Sequence, residues 1–327
     1  MKIYCTRLKG FKYEPWESGF VETAKRELSA AGSLHEVVER PERADMILVM
    51  ESNMDKTVQD ISRYERDPLV RRYADRLFTI NYEPTPAGFL PGLYTGLTPV
   101  SRDPNRHRGW SYLIPPLASQ LLRAPDSVEP TLLFSFRGAR SHPTRERLLD
   151  HRFQCGHPFR ITHIDRWFNH TKEEMESYVQ EILASHFVLC PRGLSPSSHR
   201  CYEVMSLGRC PVIISDDWIA PRTVDWDTCS VRVRESDVDR LPEILASRLP
   251  EAKVMGAAAR AAWQRWFGLE KRFEHAVEEL LDLQRSRPAD HDEGIARKHW
   301  RSPEFYTANH WTPPISWWQA LRRSFKW

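Results

Sequence analysis

The sequence predicts an α/β protein with two parallel-sheet halves, on three observations. Short apolar runs alternate with stretches of helical periodicity along most of the chain. Some of those runs are continuous, as in residues 45–50, which is the pattern of a strand covered on both faces. A polar stretch with two prolines, residues 123–130, breaks the series and precedes a fresh strand.

Taken in order, residues 2–8 read as a strand. Phe20, Val21, Ala24, Leu28 and Ala31 share one face of a helix stopped by Gly32, and residues 45–50 follow as a buried strand. A polar amphipathic stretch over 57–76, interrupted at Pro68, leads to a strand at 77–81. Residues 82–130 are rich in proline and glycine and read as loops and short turns. Strands are expected next at 131–136, 159–164, 187–190, 211–214 and 230–233. Helices are expected at 172–184, at 198–207 ended by Gly208, near 238–247, at 254–266 and at 269–284. The expected division is an N-terminal domain over 1–130, a second domain over 131–288 and a Trp-rich segment over 289–327.

With 327 residues, 41% of them hydrophobic, two domains of ~150 residues can each bury a core, which excludes wholesale disorder. Forty-seven Lys and Arg against 44 Asp and Glu leave a net +3, with no basic stripe, so nucleic acid is not an expected partner. The six cysteines contain no C-x-x-C pair and the 13 histidines no H-E-x-x-H spacing; neither zinc nor redox chemistry is expected, and no cofactor. The first residues reach a second charge before any apolar run forms, and no run approaches the ~18 apolar residues of a membrane span. A soluble, cytoplasmic protein is expected.

The stretch richest in chemistry begins at the 187–190 strand and continues through Pro191, Arg192, Gly193, Ser197 and Ser198 into a helix carrying Arg200 and Glu203. A strand that ends in a Gly- and Pro-bearing loop before a helix puts free backbone N–H groups and a positive dipole end at the carboxyl edge of a parallel sheet. A phosphate or diphosphate fits there. Arg200 and Glu203, spaced i, i+3, share a helix face, so a cation for phosphate and a carboxylate for sugar hydroxyls project together. The plain alternative is an N-cap at Ser198, a surface Arg200–Glu203 pair and a turn at Gly193.

Cys190-Pro191-Arg192-Gly193, then Ser197-Ser198-His199-Arg200 and Glu203, resemble the exostosin family of glycosyltransferases. So do the following 208–216, Val224-Asp225-Trp226 and 230–233, in order and spacing, over about a hundred residues. Phe136-Arg137-Gly138-Ala139-Arg140, with Arg145 and Arg147, is similar to the family's other recurrent element. The resemblance implies a GT-B architecture, two Rossmann-like domains facing a central cleft, with a nucleotide-sugar donor, typically a UDP-sugar, held by the second domain. It implies inverting, metal-independent transfer. Carried onto this sequence, Arg200 contacts the diphosphate and Glu203 the ribose hydroxyls. Gly138, Gly193, Ser197 and Ser198 shape the anion pocket, and Arg140, Arg145 and Arg192 add positive charge.

Animal and plant exostosins usually carry an N-terminal membrane helix, and its lack here suggests a bacterial-like, cytoplasmic relative. The expected acceptor is then a glycan or lipid-linked glycan of the bacterial surface. The alternative is a non-catalytic glycan- or nucleotide-binding module on the same fold. An inverting transfer needs a base near the acceptor hydroxyl. Glu51 and Asp55, just after the 45–50 strand, and Glu83 after the next, are the candidates, each also readable as a solvated loop acid. Asp225-Trp226-Asp227 satisfies D-x-D, but capping or solvation explains it better than a metal. Trp300, Trp311, Trp317, Trp318 and Trp327 crowd the C-terminal segment, which is expected to pack back on the N-terminal domain, with peripheral inner-membrane contact as the second reading.

Overall fold

The computed structural model describes residues 1–11, 18–51, 60–84, 86–99, 102–112, 128–165 and 171–302. The chain divides into two compact units, one of Met1–Trp110 with Phe273–Trp327, the other of Ser111–Arg272.

In the first unit, β1 (Lys2–Thr6), α1 (Ser18–Leu28), β2 (Glu36–Val37) and β3 (Met46–Glu51) are followed by α2 (Ile61–Arg66), α3 (Pro68–Arg72), β4 (Leu77–Asn81), β5 (Gly92–Tyr94) and β6 (His107–Gly109). The strands lie in the order β2-β1-β3-β4-β5-β6 and every pairing is parallel. Every residue of β3 and β4 is buried, which is why their sequences are continuous rather than alternating. Pro68 begins α3, and the Asp67 carboxylate caps it by accepting from the Leu69 N–H at 2.9 Å. The expected loops of 82–130 contain β5 and β6; strands of three residues are too short to show a periodicity. Gly92 lets β5 approach, since a Cβ there would stand 2.0 Å from the Thr79 carbonyl oxygen on β4.

The second unit runs β7 (Leu132–Gly138), α4 (Pro143–Asp150), β8 (Phe159–His163), α5 (Lys172–Leu183), β9 (Ser185–Pro191), α6 (His199–Ser206) and β10 (Cys210–Ile214). It continues through α7 (Trp226–Cys229), β11 (Val231–Arg232), α8 (Leu241–Arg248) and α9 (Ala252–Trp266). Its sheet order is β11-β10-β9-β7-β8, again parallel throughout. Phe134, Phe136, Phe187, Leu189, Val212 and Ile214 form the centre of its core.

Two further helices, α10 (Arg272–Arg285) and α11 (Glu293–Lys298), return to the first unit. The Leu34 N–H donates to Glu274 Oε1 at 3.2 Å, and Gln284 Nε2 donates to the Asp75 carbonyl at 3.3 Å. These divisions differ from the 130/131 and 288/289 boundaries expected from local composition, because the apolar stripe of α10 does not say which core receives it. Trp300 is fully buried, its ring 5.4 Å from Phe89 and 6.0 Å from Tyr64. Arg106 Nη2 pairs with Glu293 Oε1 at 2.9 Å, with side chains 3% and 2% exposed, and also donates to the Phe89 carbonyl at 2.7 Å. Trp311, Trp317, Trp318 and Trp327 lie outside the described residues. Among the described residues no helix is long and apolar enough to cross a membrane.

Candidate functional site

In the second unit β7 has β8 on one side and β9 on the other, so the connections leaving β7 and β9 diverge. The carboxyl ends of these two strands are the topological switch point, where open parallel sheets place ligands. Residues 139–142 follow β7 there and residues 192–198 follow β9.

Arg145 stands in the first turn of α4, whose N-cap His142 accepts from the Thr144 N–H at 3.2 Å. Its Nε donates to the carbonyls of Arg192 (2.9 Å) and Pro191 (3.3 Å), and its Nη2 donates to Pro191 at 3.1 Å. Gly193 makes room for it, because a Cβ at 193 would lie 3.2 Å from the guanidinium and 2.9 Å from Ser141 Oγ. Arg200 enters from the first turn of α6. Its Nε donates to Tyr178 Oη at 3.2 Å, and its Nη2 donates to the Arg137 carbonyl. Both guanidinium groups sit over the Phe136 ring, at 4.8 Å for Arg200 and 5.8 Å for Arg145.

Neither Arg145 nor Arg200 forms an ion pair among the described residues, and Arg200 Nη1 is buried with no hydrogen-bond partner among them. Burial, and then the neighbouring Arg200 cation, push the Arg145 guanidinium down to about 9. Two like charges gathered in a partly desolvated place are unfavourable until an anion joins them. Glu203, one turn along α6 and 6% exposed, does not form the surface pair with Arg200 that was the plain alternative. Tyr178 stands between them, donating from Oη to Glu203 Oε2 at 2.6 Å.

The other expected residues divide. Gly138 closes β7, and the Gly193 N–H donates to the Ser195 carbonyl at 3.1 Å. Ser197 is buried, its N–H donating to Ser195 Oγ at 3.2 Å. Ser198 occupies the N-cap position of α6, yet its hydroxyl makes no capping hydrogen bond. Arg192 and Arg140, expected to enlarge the positive pocket, are offset by carboxylates. Arg192 Nη1 lies 3.1 Å from Asp217 and 3.6 Å from Glu235. Arg140 is engaged at the surface by both oxygens of Asp150, at 2.9 and 2.5 Å. His199, at the start of α6, stacks on Tyr112 with centroids 3.5 Å apart.

In the first unit, Glu51 and Glu83 are not solvated loop acids. Glu51 is 1% exposed, with Tyr64 Oη donating to Oε1 at 2.5 Å and Thr79 Oγ1 donating to Oε2 at 2.6 Å. Glu83 is 2% exposed. Asp55 lies outside the described residues. Asp225 precedes the short α7, and Trp226 Nε1 donates to the Pro221 carbonyl at 2.8 Å. Among the described residues no group of three or more His, Cys, Asp or Glu stands together so as to hold a metal ion.

Sequence reasoning missed Tyr178 and the ring of Phe136. Tyr178 lies on α5, whose start carries a legible capping box: the Thr171 hydroxyl accepts from the Glu174 N–H and the Glu174 carboxylate from the Thr171 N–H. Nothing local marks the tyrosine as a partner of residues more than 20 positions away.

Residues 110–248 match the family model described as the exostosin GT47 domain. A probable glucuronosyltransferase of Oryza sativa subsp. japonica is 40% identical over 82 residues, which are 24% of this chain and 19% of that protein. A probable glucuronoxylan glucuronosyltransferase of Arabidopsis thaliana is 42% identical over 83 residues, 25% of this chain and 18% of that one. The exostosin-1 homolog of Caenorhabditis elegans is 38% identical over 85 residues, 25% and 20%. The chain thus spans about a fifth of the length of the curated relatives it matches. Among solved structures, Anabaena HepE in complex with UDP and glucose aligns with 86% of this chain and 100% of its own, at 15% identity and a TM-score of 0.46.

Proposed function

We propose that the chain is a glycosyltransferase taking its sugar from a nucleotide-sugar donor, a reading that the match of residues 110–248 to the exostosin GT47 domain supports. The observation that carries this reading is the pair Arg145 and Arg200, gathered over Phe136 at the switch point without ion-pair partners among the described residues, with Glu203 beside them. A nucleoside diphosphate supplies the missing anion and ribose hydroxyls that a carboxylate accepts from. As the sugar departs, negative charge grows on the diphosphate, and guanidinium groups already in place stabilise it without reorganising. The reading includes inversion at the anomeric centre and independence from a metal, on the strength of the family resemblance. UDP is the proposed nucleotide on the same ground.

The proposed acceptor is a glycan or lipid-linked glycan of the bacterial surface, such as lipopolysaccharide, capsule or exopolysaccharide, met in the cytoplasm with peripheral contact at the inner membrane. We propose the base at Asp55 on sequence grounds. Glu51 is expected to act as an internal strut. Glu51→Gln should lower stability by about 1–3 kcal/mol in urea unfolding, while turnover per folded molecule is retained. Lost turnover at unchanged stability would make Glu51 the base instead.

The donor reading is tested by thermal shift. Saturating UDP should raise the melting temperature by a few degrees, since a ligand bound only by the folded state stabilises it. GDP, dTDP and CMP should do less. UDP-glucuronic acid is the first donor for turnover, chosen from the relatives' names. UDP release should persist in EDTA. A chain that no nucleotide stabilises would overturn the reading, and one that binds UDP but never releases it from any donor–acceptor pair would be a binding module.

A further inference from the structure

We infer that Tyr178 is a positioning residue for the donor, holding the cation for the diphosphate and the carboxylate for the ribose in one fixed relation; this rests on the donor reading above. Its hydroxyl is the link between them, donating to Glu203 Oε2 at 2.6 Å and accepting from Arg200 Nε at 3.2 Å. A phenol has one proton to give. Given to Glu203, it leaves an oxygen lone pair facing Arg200, so both bonds form at once only in this orientation. Desolvation first, then the Glu203 carboxylate, raise the phenol well above its usual range, so the proton stays on the tyrosine.

The tyrosine is itself held. Arg137, on β7, pairs with Glu181 Oε2 at 2.7 Å and donates to Ser177 Oγ at 3.1 Å, fastening α5 on both sides of position 178. The carbonyl of the same Arg137 accepts from Arg200 Nη2. Strand β7 therefore registers α5 and the Arg200 of α6 together, and Tyr178 closes the ring between the helices. The Arg200 guanidinium also has two aromatic neighbours, 5.8 Å from the Tyr178 ring and 4.8 Å from Phe136. Without the hydroxyl, Glu203 and Arg200 on adjacent turns are free to pair directly, which would withdraw the carboxylate from a ribose and neutralise the cation meant for phosphate.

Tyr178→Phe removes one oxygen and keeps the ring. UDP and 2′,3′-dideoxy-UDP, titrated calorimetrically into one preparation, separate positioning from bulk stability, because a misfolded fraction lowers the active concentration for both ligands alike. The native chain should favour UDP by roughly tenfold or more, the discrimination typical of a hydrogen bond to a charged group. Tyr178→Phe should bring that ratio near one and raise the donor KM more than it lowers kcat, as should Glu203→Gln. A Tyr178→Phe chain that discriminates as sharply as the native one overturns the positioning role and leaves the donor reading standing. A native chain that binds UDP without discriminating overturns the ribose role of Glu203, and positioning with it. A native chain that binds neither nucleotide overturns the donor reading itself.

Discussion

Arg200→Ala is expected to lower kcat/KM for the donor by roughly 10²–10³-fold, the loss found when one preorganised donor to a developing charge is removed. The size follows from where Arg200 stands. It is fastened to the Arg137 carbonyl and Tyr178 Oη, so in the proposed reaction it would meet the leaving diphosphate with its geometry already set. Among the described residues no carboxylate pairs with it that an incoming phosphate would have to displace. Arg200→Lys keeps the charge but not the planar fork, and should recover only part of the loss. Release of UDP under steady-state conditions gives the rate, and the UDP thermal shift should vanish in the alanine variant. Turnover within a factor of a few of the native chain would refute the role. The same substitution at Arg140 should change turnover little, because that guanidinium is already engaged by Asp150 at the surface.

Glu293→Ala should destabilise the first unit by about 3–5 kcal/mol, the cost of leaving a buried partner charge uncompensated. Arg106, paired with Glu293 at 2.9 Å, has almost no exposure through which water could replace the lost carboxylate. His291 Nε2 lies 3.1 Å from the other Glu293 oxygen, so several groups turn on this one side chain. Urea unfolding followed by tyrosine and tryptophan fluorescence measures the effect, and a change under ~1 kcal/mol would contradict it. Replacing the pair together, Arg106→Met with Glu293→Leu, should recover only part of the loss, since Arg287, 3.9 Å from Glu293 with its side chain 7% exposed, still loses its carboxylate. Affinity for UDP should be unaltered in every one of these variants, because Arg145, Arg200 and Glu203, the residues of the proposed diphosphate site, all belong to the other unit.

Much of the fold was legible where strands are covered on both faces. Met46–Glu51, Ser185–Pro191 and Cys210–Ile214 must be nearly all apolar to be buried, and such runs announce themselves without context. Strand β2, with two residues, and strands β5 and β6, with three each, carry no repeat to detect; a strand so short exists because its neighbour supplies the hydrogen bonds. Helix α4 was hidden because its sequence, Pro-Thr-Arg-Glu-Arg-Leu-Leu-Asp, buries little beyond Thr144 and Leu148. At the site, the positions of Arg200, Glu203 and Gly193 follow from local geometry, a strand, a turn and a helix in succession. Pairing does not. Asp150 engages Arg140, Asp217 and Glu235 engage Arg192, and Tyr178 separates Arg200 from Glu203, all through approaches that the backbone makes elsewhere. For the same reason Glu51, at a strand end where acids are commonly solvated, proved to be enclosed by Tyr64 and Thr79.

The first unit is assembled from two stretches of chain with the whole of the second unit encoded between them. As a nascent chain leaves the ribosome, Ser111–Arg272 is complete while the first unit still waits for Glu293 and Trp300. The half proposed to bind the donor is thus synthesised in full before its neighbour is complete. A chain arrested after residue 272 would leave the first core open, with Tyr64 and Phe89 lacking the Trp300 ring and ready to associate with other chains.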